Sequence, residues 1–408
     1  MTRSPPRPSS AVDGTRASAM QRRRFTALLA GAGLAPFSAW PADAKPREDC
    51  GVPPARDDGW AVASADGDPR IDRAALCRLT DGLVAAQAKV HSLLVVHGGK
   101  LVFERYFQGI DEIPGLFYGS RTANIAFDAD TLHALKSVSK SVASLAVGIA
   151  VDRGLLPGID EPILRFFPEL SDLRSPALDR ILLRHALTMR MGLEWTEATA
   201  ATGDFRNDEA HMHLAADPCR YVLSRPVTAP AGQVFHYNTG ALALVSAIVH
   251  RVAGRPLDAF ARETLFAPLG ISGEAWHRIH GETDAGGGLR MLPRDMAKIG
   301  QLVLAGGRWN GSQRVSKDWI TASTAAAIPA TDDQSYGYLW WTGRAAAPRG
   351  PLHWIGALGR GGQSIRIVPA LDLVVVVTAG YYQDDSPQAF QLQYGVFRDV
   401  LRAVAAAA

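Results

Sequence analysis

Two stretches of the chain carry the pattern of paired strands. Val90 to Val96 and Leu101 to Phe107 are apolar and rich in β-forming residues, and the Gly98-Gly99 between them can take the positive φ angles of a tight turn. A hairpin is predicted there. A second pair lies near the end, where Ser364 to Val368 is followed by Pro369-Ala370-Leu371-Asp372 and then by Leu373 to Thr378; the unbroken run Val374 to Val377 predicts a central strand.

Between these regions the period changes. Val138, Val142, Leu145 and Ile149 recur at steps of four, three and four, which predicts a buried helix opened by Ser137 and stopped by Gly154. The stretch 156–284 reads as loop-rich and helical, including a helix near Gly240 to Val252 that Thr239 can cap and Gly254 can end. Pro293 to Leu304 reads as a further helix. In the tail, Ser386 is placed as a cap, Pro387 at the first helical position, and Phe390, Phe397 and Leu401 on a face that packs on the sheet. This order predicts an α+β fold: one antiparallel sheet flanked by helices, built from 45–155 and 285–408 and interrupted by a mainly helical insertion at 156–284. No internal repeat is evident.

The first 44 residues follow a different pattern. Arg22-Arg23-Arg24-Phe25 precede an apolar run from Thr26 to Trp40 and then Ala42-Asp43-Ala44, the order of a cleavable export signal, with Met1 or Met20 as its start. The arginine pair followed by one residue and Phe25 resembles a twin-arginine signal, so a periplasmic or secreted protein cleaved after about Ala44 is expected. A run this short, broken by Gly31, Gly33 and Pro36, is not expected to act as a stable membrane anchor. The leader holds six arginines against Asp13 and Asp43, so the net charge of +3 for the whole chain becomes about −1 for the remainder. With no later polybasic run, nucleic acid is not an expected partner.

With 408 residues, 47% of them hydrophobic and 20% charged, the chain can bury a large core. Cys50, Cys77 and Cys219 lack the paired spacing of a zinc site; a Cys50 to Cys77 disulfide and three buried thiols are both compatible with the sequence. His211 and His213 near Asp208, and His277 near His280, read as polar surface rather than as metal ligands. Asp204 and Asp208 are candidates for touching substrate.

The chemistry concentrates at Ser137-Val138-Ser139-Lys140, where a hydroxyl and an amine three residues apart share one helix face. A serine is a poor nucleophile unless a base removes its proton, and lysine serves only when neutral, against an ordinary pKa near 10.4. Lowering that value by about three units takes about 4 kcal/mol, which burial and the positive end of the helix can provide. The Ser137 N–H, in the first turn, is a candidate oxyanion donor. Alone the Ser-x-x-Lys spacing is weak; its place at the start of a strongly apolar helix strengthens it. Tyr237, within Phe235-His236-Tyr237-Asn238-Thr239, stands at a loop-to-helix junction and can relay protons. Gly359-Arg360-Gly361-Gly362-Gln363 precedes a strand and would let a substrate carbonyl approach the backbone, making Gly359, Arg360 and Gly361 candidate oxyanion and substrate-binding residues.

Ser-x-x-Lys, then a tyrosine motif, then a Gly-rich turn before the last strands resembles serine β-lactamases and penicillin-binding proteins, over almost the whole chain after the leader. Leu187-Thr188-Met189-Arg190-Met191-Gly192-Leu193, Gly287-Gly288-Leu289-Arg290 and Tyr336-Gly337-Tyr338-Leu339-Trp340-Trp341 look like the class C-like branch that holds 6-aminohexanoate-dimer hydrolases and related esterases. The resemblance implies a β-lactamase/transpeptidase-like fold, an acyl-enzyme on Ser137, proton handling by Lys140 and Tyr237, and an oxyanion bound by the N–H groups of Ser137 and Arg360. It implies no cofactor and a small ester, amide or peptide-like substrate. The pattern departs in two places: Thr239 stands where the family carries asparagine, and Trp354-Ile355-Gly356 stands in place of Lys-Thr-Gly. Without that lysine a carboxylate anchor is missing unless Arg360 or Arg366 points inward. This favours esters or short amides over β-lactams or D-alanyl peptides. Tyr336, Trp340, Trp341 and Trp354 either wall an acyl pocket or fill core, with about half assigned to core. A non-catalytic binding protein with the same fold is the remaining alternative.

Overall fold

The computed structural model describes residues 49–405 apart from 115–119, 198–203, 205, 348 and 383–387. The leader, and with it the export signal, lies outside the described residues, as do Ser386 and Pro387.

The hairpin forms as predicted, with β1 (Val90–His97) and β2 (Lys100–Tyr106) joined through Gly98 and Gly99 at φ +58° and +72°. A second hairpin, β3 (Gln108–Pro114) and β4 (Ser120–Ala126), follows as a separate two-stranded sheet. The later strands are β5 (Ile328–Pro329), β6 (Gln334–Tyr336), β7 (Trp341–Ala345), β8 (Leu352–Gly359), β9 (Gln363–Val368) and β10 (Leu373–Ala379). They join β1 and β2 in an eight-stranded sheet of order β5-β6-β7-β8-β9-β10-β1-β2, every pairing antiparallel. The first strand of the early hairpin thus lies against the last strand of the chain.

Side-chain parity divides the core. Val374 and Val376 of β10, with Ile365 and Ile367 of β9 and Ile355 and Ala357 of β8, face one cluster. It is built on helices α2 (Val138–Asp152), α4 (Gly240–Ala253) and α5 (Pro293–Leu304). Val375, Val377 and Trp354 face a second cluster, formed by α1 (Arg73–Ala85) and the C-terminal α6 (Gln388–Ala405). That is why Leu373–Ala379 is apolar without alternation: both of its faces are covered.

Helix α2 is buried on every side from Val138 to Ala150, which places its polar members Ser139, Lys140, Ser141 and Ser144 inside the protein. Gly254, at φ +67°, ends α4 as the sequence predicts. Thr239 stands at the N-cap position without capping α4 through its side chain; its hydroxyl is committed elsewhere. Between α2 and α5 the chain adds short helices, among them α3 (Asp208–Leu214), and short strands such as Ala275–Trp276. Cys50 and Cys77 form a disulfide that ties the first described residues to α1, and Cys219 is free. Among the described residues no helix is long and apolar enough to cross a membrane.

Candidate active site

Ser137 opens α2, and the residue before it, Lys136, is held at φ +50°, a region that L side chains rarely occupy. That elbow is braced: Lys136 pairs with Glu112 and lies 5.3 Å above the centre of the Tyr382 ring. Lys140, one turn on, has its Nζ 2.9 Å from Ser137 Oγ and 2.7 Å from the carbonyl oxygen of Gly286. Gly286 O can only accept, so Nζ spends one N–H there. If the amine is neutral, its lone pair is then free to take the serine proton. Burial pushes Lys140 below its ordinary pKa, opposed by the carboxylates of Glu197, Glu209 and Asp284.

The Gly286 contact explains why a Gly-rich segment stands there. A Cβ at Gly286 would come within 2.5 Å of Thr239 Cγ2, so no larger residue lets its carbonyl reach Lys140. Asp284 Oδ1 accepts the N–H groups of Gly286 and Gly287 at 3.1 Å each and holds the turn. Leu289 continues it, accepting the N–H of Leu135 through its carbonyl and donating its own N–H to Ser139 Oγ. The motif Gly287-Gly288-Leu289-Arg290 is therefore a rail along the start of α2.

Tyr237 reaches the same place from the turn before α4. Its ring lies 5.1 Å from Lys140 Nζ and stacks on Trp341 with centroids 6.3 Å apart, and the Ser137 side chain neighbours its hydroxyl. Burial and the charge of Glu197 push the phenol well above its ordinary pKa, so it is a neutral donor. The turn is held by Met189, whose carbonyl accepts the His236 N–H at 2.8 Å. This gives the Leu187 to Leu193 motif a positioning function. The Tyr336 to Trp341 motif is tied to α2 by Ser141, which donates to the Leu339 carbonyl at 2.6 Å.

The third element arrives on β8. A Cβ on Gly359 would lie 2.4 Å from the Leu135 carbonyl and 3.3 Å from the Ser137 nitrogen, so the end of β8 runs against the backbone of the nucleophile elbow. Gly361 has φ +85° and sits against the Tyr382 ring. Tyr382 thus touches both the elbow and the Gly-rich turn, and its hydroxyl donates to Asp111 at 2.8 Å. Arg360 is exposed between the two glycines.

The structure decides several alternatives that the sequence leaves open. The strand residue that meets Ser137 is Gly359 rather than any of Trp354-Ile355-Gly356; Trp354 has the opposite parity and packs on Phe397 beyond the sheet. Arg366 has that same parity, between Ile365 and Ile367, so it points away from the site and is no carboxylate anchor. Asp208 is taken by the Thr196 N–H and the Tyr221 hydroxyl, and Asp204 by Arg206, so neither is free for substrate. Of the aromatic residues, Tyr336, Trp340 and Trp354 fill core, and Trp341 is the one that lines the tyrosine of the site.

One site residue escaped the sequence reading. Glu197 accepts the N–H and the hydroxyl of Thr239 at 2.8 Å each, and the indole N–H of Trp195. Burial and neighbouring Glu209 push its carboxyl up to about 7, with Lys140 opposing. An acidic residue in a loop carries no periodic signal; the cue available was the unexplained threonine in the tyrosine motif.

The chain matches the beta-lactamase family over residues 78–392. It is 26% identical over 333 residues to the 6-aminohexanoate-dimer hydrolase of Paenarthrobacter ureafaciens, covering 77% of this chain and 78% of that protein. It is 28% identical over 193 residues to the esterase EstB of Burkholderia gladioli, 44% of either chain. Among solved structures, a Bacillus anthracis protein described as a 6-aminohexanoate-dimer hydrolase superposes with a TM-score of 0.64 at 21% identity, over 79% of this chain and 81% of that one.

Proposed function

The chain belongs to the beta-lactamase family and is a serine hydrolase, and on that premise we propose that it opens ester and short amide bonds of small molecules by transferring their acyl group to Ser137. The observation that carries this reading is the 2.9 Å contact between Ser137 Oγ and a Lys140 amine that is buried and already spends an N–H on Gly286. Lys140 Nζ takes the serine proton as Oγ bonds to the substrate carbonyl carbon. The Ser137 N–H, with Arg360 N–H from the turn after Gly359, stabilises the oxyanion. As the tetrahedral intermediate collapses, the bond to the leaving alcohol or amine breaks, and that group takes the proton back through Lys140 and Tyr237. Water, deprotonated by the same groups, then adds to the acyl carbonyl and releases the acid and free Ser137.

The outward-facing Arg366 and the absence of lysine from β8 support esters and short amides over β-lactams or D-alanyl peptides. The named relatives support the same classes: an amide hydrolase and an esterase. The part 45–155 with 285–408 would form the sheet domain and 156–284 the insertion that shapes specificity. Export through the twin-arginine-like leader is part of the proposal, supported by the Cys50–Cys77 disulfide, which suits an oxidising compartment.

The test is intact mass after exposure to a fluorophosphonate, beside Ser137→Ala. A single adduct absent from the variant is expected; an adduct that survives the substitution would mean that another serine reacts. Hydrolysis of p-nitrophenyl esters with little turnover of nitrocefin is expected, and the reverse preference would return the reading to a β-lactamase.

A further inference from the structure

Thr239 sits two residues after Tyr237, and its polar groups turn away from α4. Both of them donate to Glu197, the N–H to Oε2 and the hydroxyl to Oε1, at 2.8 Å each. The Trp195 indole donates to Oε2 as well, so the carboxylate is fastened on two sides. It stands at the N-terminus of the 14-residue α4, whose positive end offsets part of the burial that pushes the Glu197 carboxyl up to about 7. The Tyr237 ring in the same turn carries Lys140 Nζ at 5.1 Å. A carboxylate therefore grips the segment that presents the site's tyrosine beside the site's lysine.

We propose that Glu197 is a positioning residue of the Ser137–Lys140–Tyr237 centre, clamping the Tyr237 turn through Thr239. This inference rests on the function proposed above. The groups that share its field are Lys140 on α2, Tyr237 in the turn, Glu209 on α3 and Tyr336 on β6, while Asp284 acts on Lys140 from the Gly286 turn. Glu197 and Glu209 both favour the charged form of Lys140, against burial. Replacing one Glu197 oxygen by an amide nitrogen breaks one of the two contacts that hold the turn. Removing the Thr239 hydroxyl loosens the turn and leaves the charge in place.

The experiment compares kcat/KM against pH for Glu197→Gln, Thr239→Val and Thr239→Ser with the parent, using a p-nitrophenyl ester, with Tm recorded for each. Glu197→Gln is expected to lower the plateau about tenfold, because the Tyr237 turn loses one of the two oxygens that hold Thr239. Thr239→Val is expected to lower the plateau several-fold with the limb unmoved, and Thr239→Ser to restore it. A purely structural carboxylate would lower Tm and leave the plateau where it was, which overturns the proposal. If Glu197→Gln does not fold, the threonine pair decides: a Val variant as active as the Ser variant overturns the clamp. Absence of a fluorophosphonate adduct on Ser137 in the parent removes the function itself, whereas a labelled Ser137 with an unmoved plateau removes only this inference.

Discussion

Two buried basic side chains lie on opposite faces of the same sheet. Lys140 and Arg366 are 2% and 1% exposed. Around Lys140 the protein supplies a serine hydroxyl and a carbonyl that accept hydrogen bonds, with carboxylates nearby. Around Arg366 it supplies ring faces: Trp354, Tyr394 and Phe397, with centroids 4.2, 4.4 and 4.9 Å from the guanidinium carbon. Burial pushes both pKa values down. For an amine the shift makes the neutral form accessible and produces a base; for a guanidinium, which stays protonated, the same burial has no chemical outlet and is met by cation–π contact. Burial of charge becomes function only where the buried group can release its proton.

The strongest test exchanges the two chemistries. Lys140→Arg keeps a cation that cannot act as base, and fluorophosphonate labelling of Ser137 is expected to slow by about 10³ or more with the fold retained by circular dichroism. Labelling within tenfold of the parent would mean that Lys140 is not the base.

A smaller effect is expected from the buried imidazoles of β1 and the strand leading to Ser137. His91 Nδ1 and His133 Nε2 are 2.8 Å apart, and burial pushes them down to about 3 and about 4. Both lie below the unfolded value near 6.5, so the unfolded chain binds more protons between those limits. Stability is then complete above about pH 6.5 and falls on acidification. His133 alone contributes about 2–3 kcal/mol of loss by pH 4.5. The check is urea unfolding across this range; a flat profile, or an unchanged one in His133→Asn, would remove these groups as its cause.

The smallest change is expected at Arg366. Arg366→Met places a polarisable, uncharged side chain in the aromatic cage, and stability should stay within about 1 kcal/mol of the parent or rise. Ester hydrolysis should be unchanged, because the residue faces α6 rather than Ser137. A loss of activity with unchanged Tm would show that the two faces of the sheet communicate.

Local pattern was enough to locate both sheet hairpins, the boundaries of α5 at Pro293 and Leu304, and the helix that carries the Ser-x-x-Lys pair. These features depend on residues close in sequence, where periodicity, turn glycines and caps act directly. Side-chain parity along Ile365-Arg366-Ile367 already held the answer for Arg366, since flanking isoleucines on the core face oblige the middle residue to take the other. Other features formed only when distant segments met. Lys140 and Gly286 are 146 residues apart, Thr239 and Glu197 are 42, and none of the four announces its partner in a composition or a spacing. Periodicity assigns a residue to a face of its own element. Which carbonyl, carboxylate or ring lies opposite that face is decided by packing of the whole chain, and that choice turned a buried lysine into a candidate base and a buried arginine into part of the core.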